Sequence, residues 1–293
     1  MDTTQLKHVR ITECPRDAMQ GLKDFVPTEV KTSYIQTLLE VGFDVLDFGS
    51  FVSPKAIPQM QDTEDVLSSL NLEQSQTKLL AIVANERGAL QAAGHPAIEF
   101  IGFPFSVSSE FQLRNTNSSL DKAADLVGRI AEICDQANKK PNIYISMAFG
   151  NPYGEPWAPD IVAEWIEVLN SRFDIRQFAL SDTVGSSNRD SITSLFKMLN
   201  QSFSELTLGA HFHSSPANWK EKAEAALDAG CVNFDGALQG FGGCPMAADT
   251  LTGNMPTERL CSLLNELGFA TSVQKAKMDK ALLMASHLFG KYH

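Results

Sequence analysis

Basic residues are scarce in this chain: 24 Lys and Arg stand against 35 Asp and Glu, a formal net charge of -11 over 293 residues. That balance excludes nucleic acid and anionic membranes as general partners, because a phosphate-binding face has to be basic. One anionic small molecule stays possible, since a few local Lys or Arg can reverse the field inside a cleft. Long apolar runs are missing too; no stretch approaches the roughly 18 residues of a membrane span. The start, MDTTQLKHVRITEC, has no basic region leading into an apolar run, so no secretory leader is read there. Cysteine is sparse: Cys14, Cys134, Cys231, Cys244 and Cys261 are odd in number and form no CxxC pair. A disulfide scaffold is thereby excluded, and a reduced, cytoplasmic protein is expected. Neither a GxGxxG nor a P-loop pattern follows the first strand, which counts against an open doubly wound sheet.

What is present is globular composition, 43% hydrophobic and 20% charged. Short apolar or alternating runs recur at Val9–Cys14, Val45–Gly49, Lys78–Val83, Ile98–Phe103, Ile143–Phe149, Gln177–Leu180, Thr207–Phe212 and Asn233–Gly236. Amphipathic segments separate them: Thr28–Val41, Thr63–Leu70, Ala84–Ala93, Ser119–Ala137, Pro159–Asn170, Asn188–Asn200, Ala217–Ala229 and Thr257–Leu267. Apolar positions three and four apart (Val30, Tyr34, Leu38) mark them as helices. Gly42 and Gly230 supply stops. Strand–helix alternation repeated in this way predicts an α/β fold, a single (β/α)8 TIM barrel occupying 1–293 as one domain. A last amphipathic stretch, Val273–Phe289, is expected to pack outside as a C-terminal helical extension.

Barrel enzymes place their chemistry where strands end. Glu13-Cys14-Pro15-Arg16-Asp17 follows the first strand. His211-Phe212-His213 closes the seventh, where residues i and i+2 point to one side and both imidazoles can converge on one ion. Two histidines leave such a site incomplete: added oxygen ligands would suit Mg²⁺ or Mn²⁺, a third nitrogen or a thiolate zinc. Gly240-Phe241-Gly242-Gly243-Cys244-Pro245 follows the eighth strand, a glycine-rich turn or a lid carrying a thiol. Asn254, taken alone, is a turn residue or helix cap. Ser50-Phe51-Val52-Ser53-Pro54-Lys55 and Ser181-Asp182-Thr183 end strands two and six, and Arg114-Asn115 lies in a long loop after strand four.

Together and in this order, these segments resemble the hydroxymethylglutaryl-CoA lyases, within a wider family of metal-dependent barrel lyases and condensing synthases. The resemblance runs from about Val9 to Gly268 and is most specific at 13–20, at 50–55 with Pro58-Gln59-Met60, and at Gly242-Gly243-Cys244-Pro245. It implies that Asp17, His211, His213 and Asn254 bind a divalent metal, Mg²⁺ before Mn²⁺. Arg16 matches the arginine facing the substrate thioester, Cys244 the loop cysteine, Asp182 a site aspartate, and Glu13 and Gln20 the residues about the first strand end. Asp47 stands where the family usually has glutamate. Lys23, Ser50, Arg114 and Asn115 are expected to meet CoA phosphates or other polar groups of the substrate. The implied reaction is retro-Claisen cleavage of an acyl-CoA to acetyl-CoA and acetoacetate, by a homodimer. Departures are Ser214-Ser215-Pro216 in place of Asp-Thr and a glycine, Ala18 for a glycine, and Leu113 for a basic residue. The competing readings are a condensing synthase, an aldolase on a 4-hydroxy-2-oxo acid, and a barrel that binds metal or acyl-CoA without turnover.

Overall fold

The computed structural model describes residues 6–243 and 252–292. Along them run β1 (Arg10–Glu13), α1 (Pro15–Gln20), α2 (Thr28–Val41), β2 (Val45–Ser50), α3 (Thr63–Ser69), β3 (Lys78–Ile82), α4 (Glu86–Ala93), β4 (Ile98–Ser106), α5 (Ser109–Thr116) and α6 (Leu120–Gln136). Then come β5 (Lys140–Ser146), α7 (Pro159–Phe173), β6 (Gln177–Asp182), α8 (Arg189–Ser202), β7 (Thr207–Ser214), α9 (Trp219–Asp228), β8 (Asn233–Gly236), β9 (Gly253–Asn254), α10 (Thr257–Glu266) and α11 (Lys275–Lys291). Strands β1 to β8 pair in parallel with their sequence neighbours, and β8 pairs with β1, so the sheet closes into the expected barrel. The extra strand β9 runs antiparallel to β7, with His213 opposite Asn254.

Strand alternation sorts side chains into two layers. Val45, Leu80, Ile82, Phe100, Tyr144 and Ala179 pack inside the barrel. Their neighbours, such as Leu46, Leu79, Phe103 and Leu180, face the helices and form the larger outer core. Helix starts follow local chemistry: Asn85, Ser108, Ser119 and Asn188 accept from a backbone N–H in the first turn. At the other end, α2 stops at Gly42 in the left-handed region, φ 86°.

Several boundaries differ from the sequence expectation. A short helix, α1, begins at Pro15 immediately after β1, because proline is suited to a first helical turn. Arg114 and Asn115 lie on α5 rather than in a loop, the Ser108 cap having started that helix. β5 ends at Ser146, where Met147 turns the chain with φ 59°. α11 forms where the C-terminal helix was expected and packs outside the barrel, Phe289 standing edge-on to Tyr34 of α2. Phe289 also stacks on Phe241 at 4.3 Å, so this helix braces the start of the glycine-rich segment.

Candidate metal centre at the barrel mouth

Residues distant in sequence meet at the C-terminal end of the strands. Asp17 is delivered by the first turn of α1, His211 and His213 by one side of β7. Their ligand-capable atoms lie within 4.8 Å of one another. Asn254 joins from β9, donating Nδ2 to Asp17 Oδ2 at 2.7 Å and to the Phe241 carbonyl at 2.9 Å. Its amide oxygen is the atom left to face a cation. Ser214, at a position where this chain departs from the resemblance, donates its hydroxyl to the Asn254 carbonyl at 3.2 Å and pins β9 to β7.

Each imidazole is fixed through one nitrogen. His211 Nδ1 lies 3.0 Å from Asp235 Oδ2, and His213 Nδ1 lies 2.8 Å from the Thr183 carbonyl oxygen. Carbonyl and carboxylate oxygens accept, so Nδ1 carries the proton and Nε2 is the uncommitted nitrogen of each ring. Outer partners of this kind orient metal-binding histidines.

The surroundings draw positive charge. Burial works against a charged His211, but the Asp235 hydrogen bond and the charges of Asp235 and Asp17 prevail and raise its pKa. His213 moves down, through burial and then its neighbour His211. Burial pushes Asp17 up, yet Arg16, both histidines and Asn254 hold it below the ordinary carboxylate range. Burial lifts Asp47 to about 6 against the pull of Arg16. Asp17, Asp47 and Asp235 are all buried here with one guanidinium, Arg16, among them. A divalent cation at Asp17, His211 and His213 would balance this excess, and imidazole nitrogens with carboxylate and amide oxygens suit such an ion. A second cluster, Cys14 with His211 and Asp235, shares one of these histidines. Burial and then Asp235 raise the Cys14 thiol well above its ordinary pKa.

Arg16 stands beside this group. Its Nη2 meets Asp47 Oδ2 at 2.5 Å and its Nε lies 3.0 Å from the same oxygen, while Nη1 donates to Asp17 at 3.1 Å and to Gln20 at 3.0 Å. The shorter acid at position 47 therefore still reaches the guanidinium. A cavity of about 400 Å³ opens above, lined by Arg16, Asp17, Gln20, Asn115, Tyr144 and His211 among others.

The HMGL-like family profile matches residues 9–284. The chain belongs to this family. A hydroxymethylglutaryl-CoA lyase of Bacillus subtilis is 30% identical over 97% of this chain and 94% of its own length. The mitochondrial hydroxymethylglutaryl-CoA lyase of Mus musculus is 32% identical over 94% of this chain and 84% of its own. Among solved structures, the B. subtilis HMG-CoA lyase superimposes with TM-score 0.91 at 29% identity, over 97% of this chain and 94% of that one. An HMG-CoA lyase from Acinetobacter baumannii, in complex with coenzyme A and 3-methylmalate, gives 0.89 at 28% identity, over 97% and 92%.

Other expected family positions fall elsewhere. Glu13 is not in the cavity: strand alternation turns it outward, where it accepts from Leu238 N and the Thr257 hydroxyl. Asp182 likewise faces away from the cavity, accepting from Ser187 and from Lys222 Nζ at 2.6 Å. Both carboxylates are placed outside the cavity and brace neighbouring elements, because strand alternation turns them towards the helices. Ser50 is buried and accepts from Val52 N in the turn after β2. Lys23 is exposed and lines no part of the cavity. Arg114 pairs with Glu110 at 2.6 Å and lies over Tyr153, while its neighbour Asn115 does reach the cavity wall. Cys244 lies outside the described residues.

Sequence reasoning missed Asp235, Tyr144 and Lys222. Asp235 was detectable as an acid on the inward phase of a strand. Tyr144 gave no sign among other strand aromatics. Its hydroxyl is buried at the cavity without a hydrogen-bond partner among the described residues. Lys222 was visible only as a charge on the buried stripe of α9.

Proposed function

We propose that the chain is a divalent-metal-dependent carbon–carbon lyase that cleaves hydroxymethylglutaryl-CoA to acetyl-CoA and acetoacetate. The observation that carries this reading is the meeting of Asp17, His211 and His213 beside the Arg16–Asp47 pair. Asp17, the two Nε2 atoms and the Asn254 amide oxygen would hold the ion, with Mg²⁺ or Mn²⁺ matched to mixed nitrogen and oxygen donors. When bound, such an ion makes a substrate hydroxyl more acidic and fixes its orientation.

The chain's own residues then do the following. The tertiary hydroxyl proton passes to a base at the cavity wall, for which an imidazole of the histidine pair, Asp17 and a water molecule are the candidates. The bond between the hydroxyl-bearing carbon and the thioester α-carbon breaks; the hydroxyl oxygen becomes the ketone of acetoacetate, and the electron pair passes to the thioester as an enolate. Arg16, held rigid by Asp47 and Gln20, faces that developing charge; a preorganised donor of this kind is worth about 2.7–4 kcal/mol of barrier. Protonation of the enolate carbon gives acetyl-CoA, and Cys244 is our candidate donor for that proton.

The test is incubation of the purified protein with Mg²⁺ and a panel of acyl-CoA thioesters. Hydroxymethylglutaryl-CoA heads the panel. A methylmalyl thioester is included because a relative was captured with coenzyme A and 3-methylmalate. Acetoacetate from the first supports the named reaction; cleavage of another member alone replaces the substrate; no cleavage of any removes the lyase.

A further inference from the structure

We infer that Lys222, in α9 behind the cavity wall, is a positioning residue for the His213 side of the metal centre, an inference that stands on the reading above. Lys222 is buried, and its ammonium has three protons to place. All three are placed: Nζ donates to Asp182 Oδ2 at 2.6 Å, to the His213 carbonyl at 2.9 Å and to the Gly185 carbonyl at 3.0 Å. Asp182 is further held by the Ser187 hydroxyl at 2.5 Å. This one ammonium therefore ties the end of β6, the turn after it and the end of β7.

The imidazole of His213 depends on that same turn. Its Nδ1 donates to the carbonyl of Thr183, which lies between Asp182 and Gly185. Gly185 has φ +69°, and a Cβ there would come within 2.4 Å of Thr252 Cγ2, so the turn also sits directly against the residues leading into β9. Lys222 thus fixes both the backbone of His213 and the acceptor that sets its tautomer, without touching the cavity. An apolar side chain would fill this part of the α9 stripe without the desolvation cost of a buried ion. The charge is accounted for by the carbonyls it holds.

The experiment uses the full chain and Mn²⁺ as probe. Mn²⁺ affinity is read by titration calorimetry, and the His213 tautomer by long-range ¹H–¹⁵N NMR of the metal-free protein at one fixed pH. The double variant Lys222→Met/Asp182→Asn removes both charges together, and thermal melting reports its fold. We expect a mixed His213 tautomer and Mn²⁺ affinity lower by about 10–100-fold, the usual loss when an outer partner is removed. Asp182→Asn alone leaves the buried Lys222 ammonium without its counter-charge and is expected to melt at a lower temperature than the double variant. Where the double variant does not fold, Lys222→Arg keeps the charge but changes the donor geometry, and the same two readouts are expected to move in the same direction. Parental affinity and a single tautomer in the folded Lys222 variant overturn the positioning role. Failure of the parent chain to bind Mn²⁺ overturns the metal centre itself.

Discussion

Replacing Glu13 by glutamine separates a carboxyl that braces the barrel from one that performs chemistry. Glu13 is fully buried, with Leu238 N 2.8 Å from one oxygen and Thr257 Oγ1 2.6 Å from the other. Burial outweighs these two contacts and raises the carboxyl from 4.5 to about 8. The folded value exceeds the unfolded one, so the chain takes up a proton here on folding. Stability from this group is complete below about pH 4.5 and is lost as the pH rises to about 8. At about 1.4 kcal/mol per pH unit, that window amounts to roughly 5 kcal/mol as an upper figure. The Glu13→Gln amide has the shape of the protonated acid, offers an acceptor to Leu238 and a donor to Thr257, and carries no charge at any pH. Urea unfolding of both proteins with EDTA, stepped from about pH 5 to about pH 9, gives a difference in which the other titrating groups cancel. The two are expected to agree to about 1 kcal/mol at the acid end, with the variant more stable by several kcal/mol at the alkaline end. Lyase turnover with Mg²⁺ near neutrality should stay within about threefold. A difference that does not vary with pH refutes the neutral buried acid, and a turnover loss of about a hundredfold returns Glu13 to the catalytic set.

Four further outcomes follow from the same geometry. Arg16→Gln should lower kcat by about 10²–10³, because a donor to developing enolate charge is lost; unaltered kcat in the folded variant contradicts the role given to it. Asp235→Asn, which cannot fix the His211 tautomer as the carboxylate does, should weaken Mn²⁺ binding by about 10–100-fold in calorimetry. EDTA should abolish acetoacetate formation and added Mg²⁺ or Mn²⁺ should restore it; turnover that persists through exhaustive chelation removes the cation from the reaction. Gly242→Ala places a Cβ 2.7 Å from the Ala18 Cα, 2.8 Å from Asn254 Nδ2 and 2.9 Å from the Asp17 carbonyl, at φ +91°. Weaker Mn²⁺ binding together with a lower melting temperature is expected, and undisturbed binding would show that this backbone approach does not shape the centre.

Glycine 242 also illustrates how far the sequence reading reached. A glycine-rich segment at the end of β8 was evident, with a turn or a mobile lid as its two readings. The structure packs Gly242 against α1 and β9, where a side chain would meet the backbone of the Asp17 helix. Asp17, His211 and His213 could be listed because i, i+2 spacing and strand ends are one-dimensional patterns. Asn254 was different: only the pairing of β9 with β7 gives it a partner other than its own turn. Arg114 was read as a loop residue because nothing in its own segment outweighed the polar composition, whereas the Ser108 cap commits it to α5.

By itself the sequence determined the eight strand–helix units and their order, because apolar spacing is local and every such unit must bury one face. It also determined which polar groups stand at strand ends, and hence the chemistry on offer. Which of those groups face the same cavity was decided only by tertiary structure. Glu13 and Arg16 are three residues apart, yet strand phase and the start of α1 send one to the helix layer and the other to the site. The Lys222 and Asp235 contacts behind the two histidines belong to the same class: a buried charge is settled by partners from other strands and helices, and no local pattern names them.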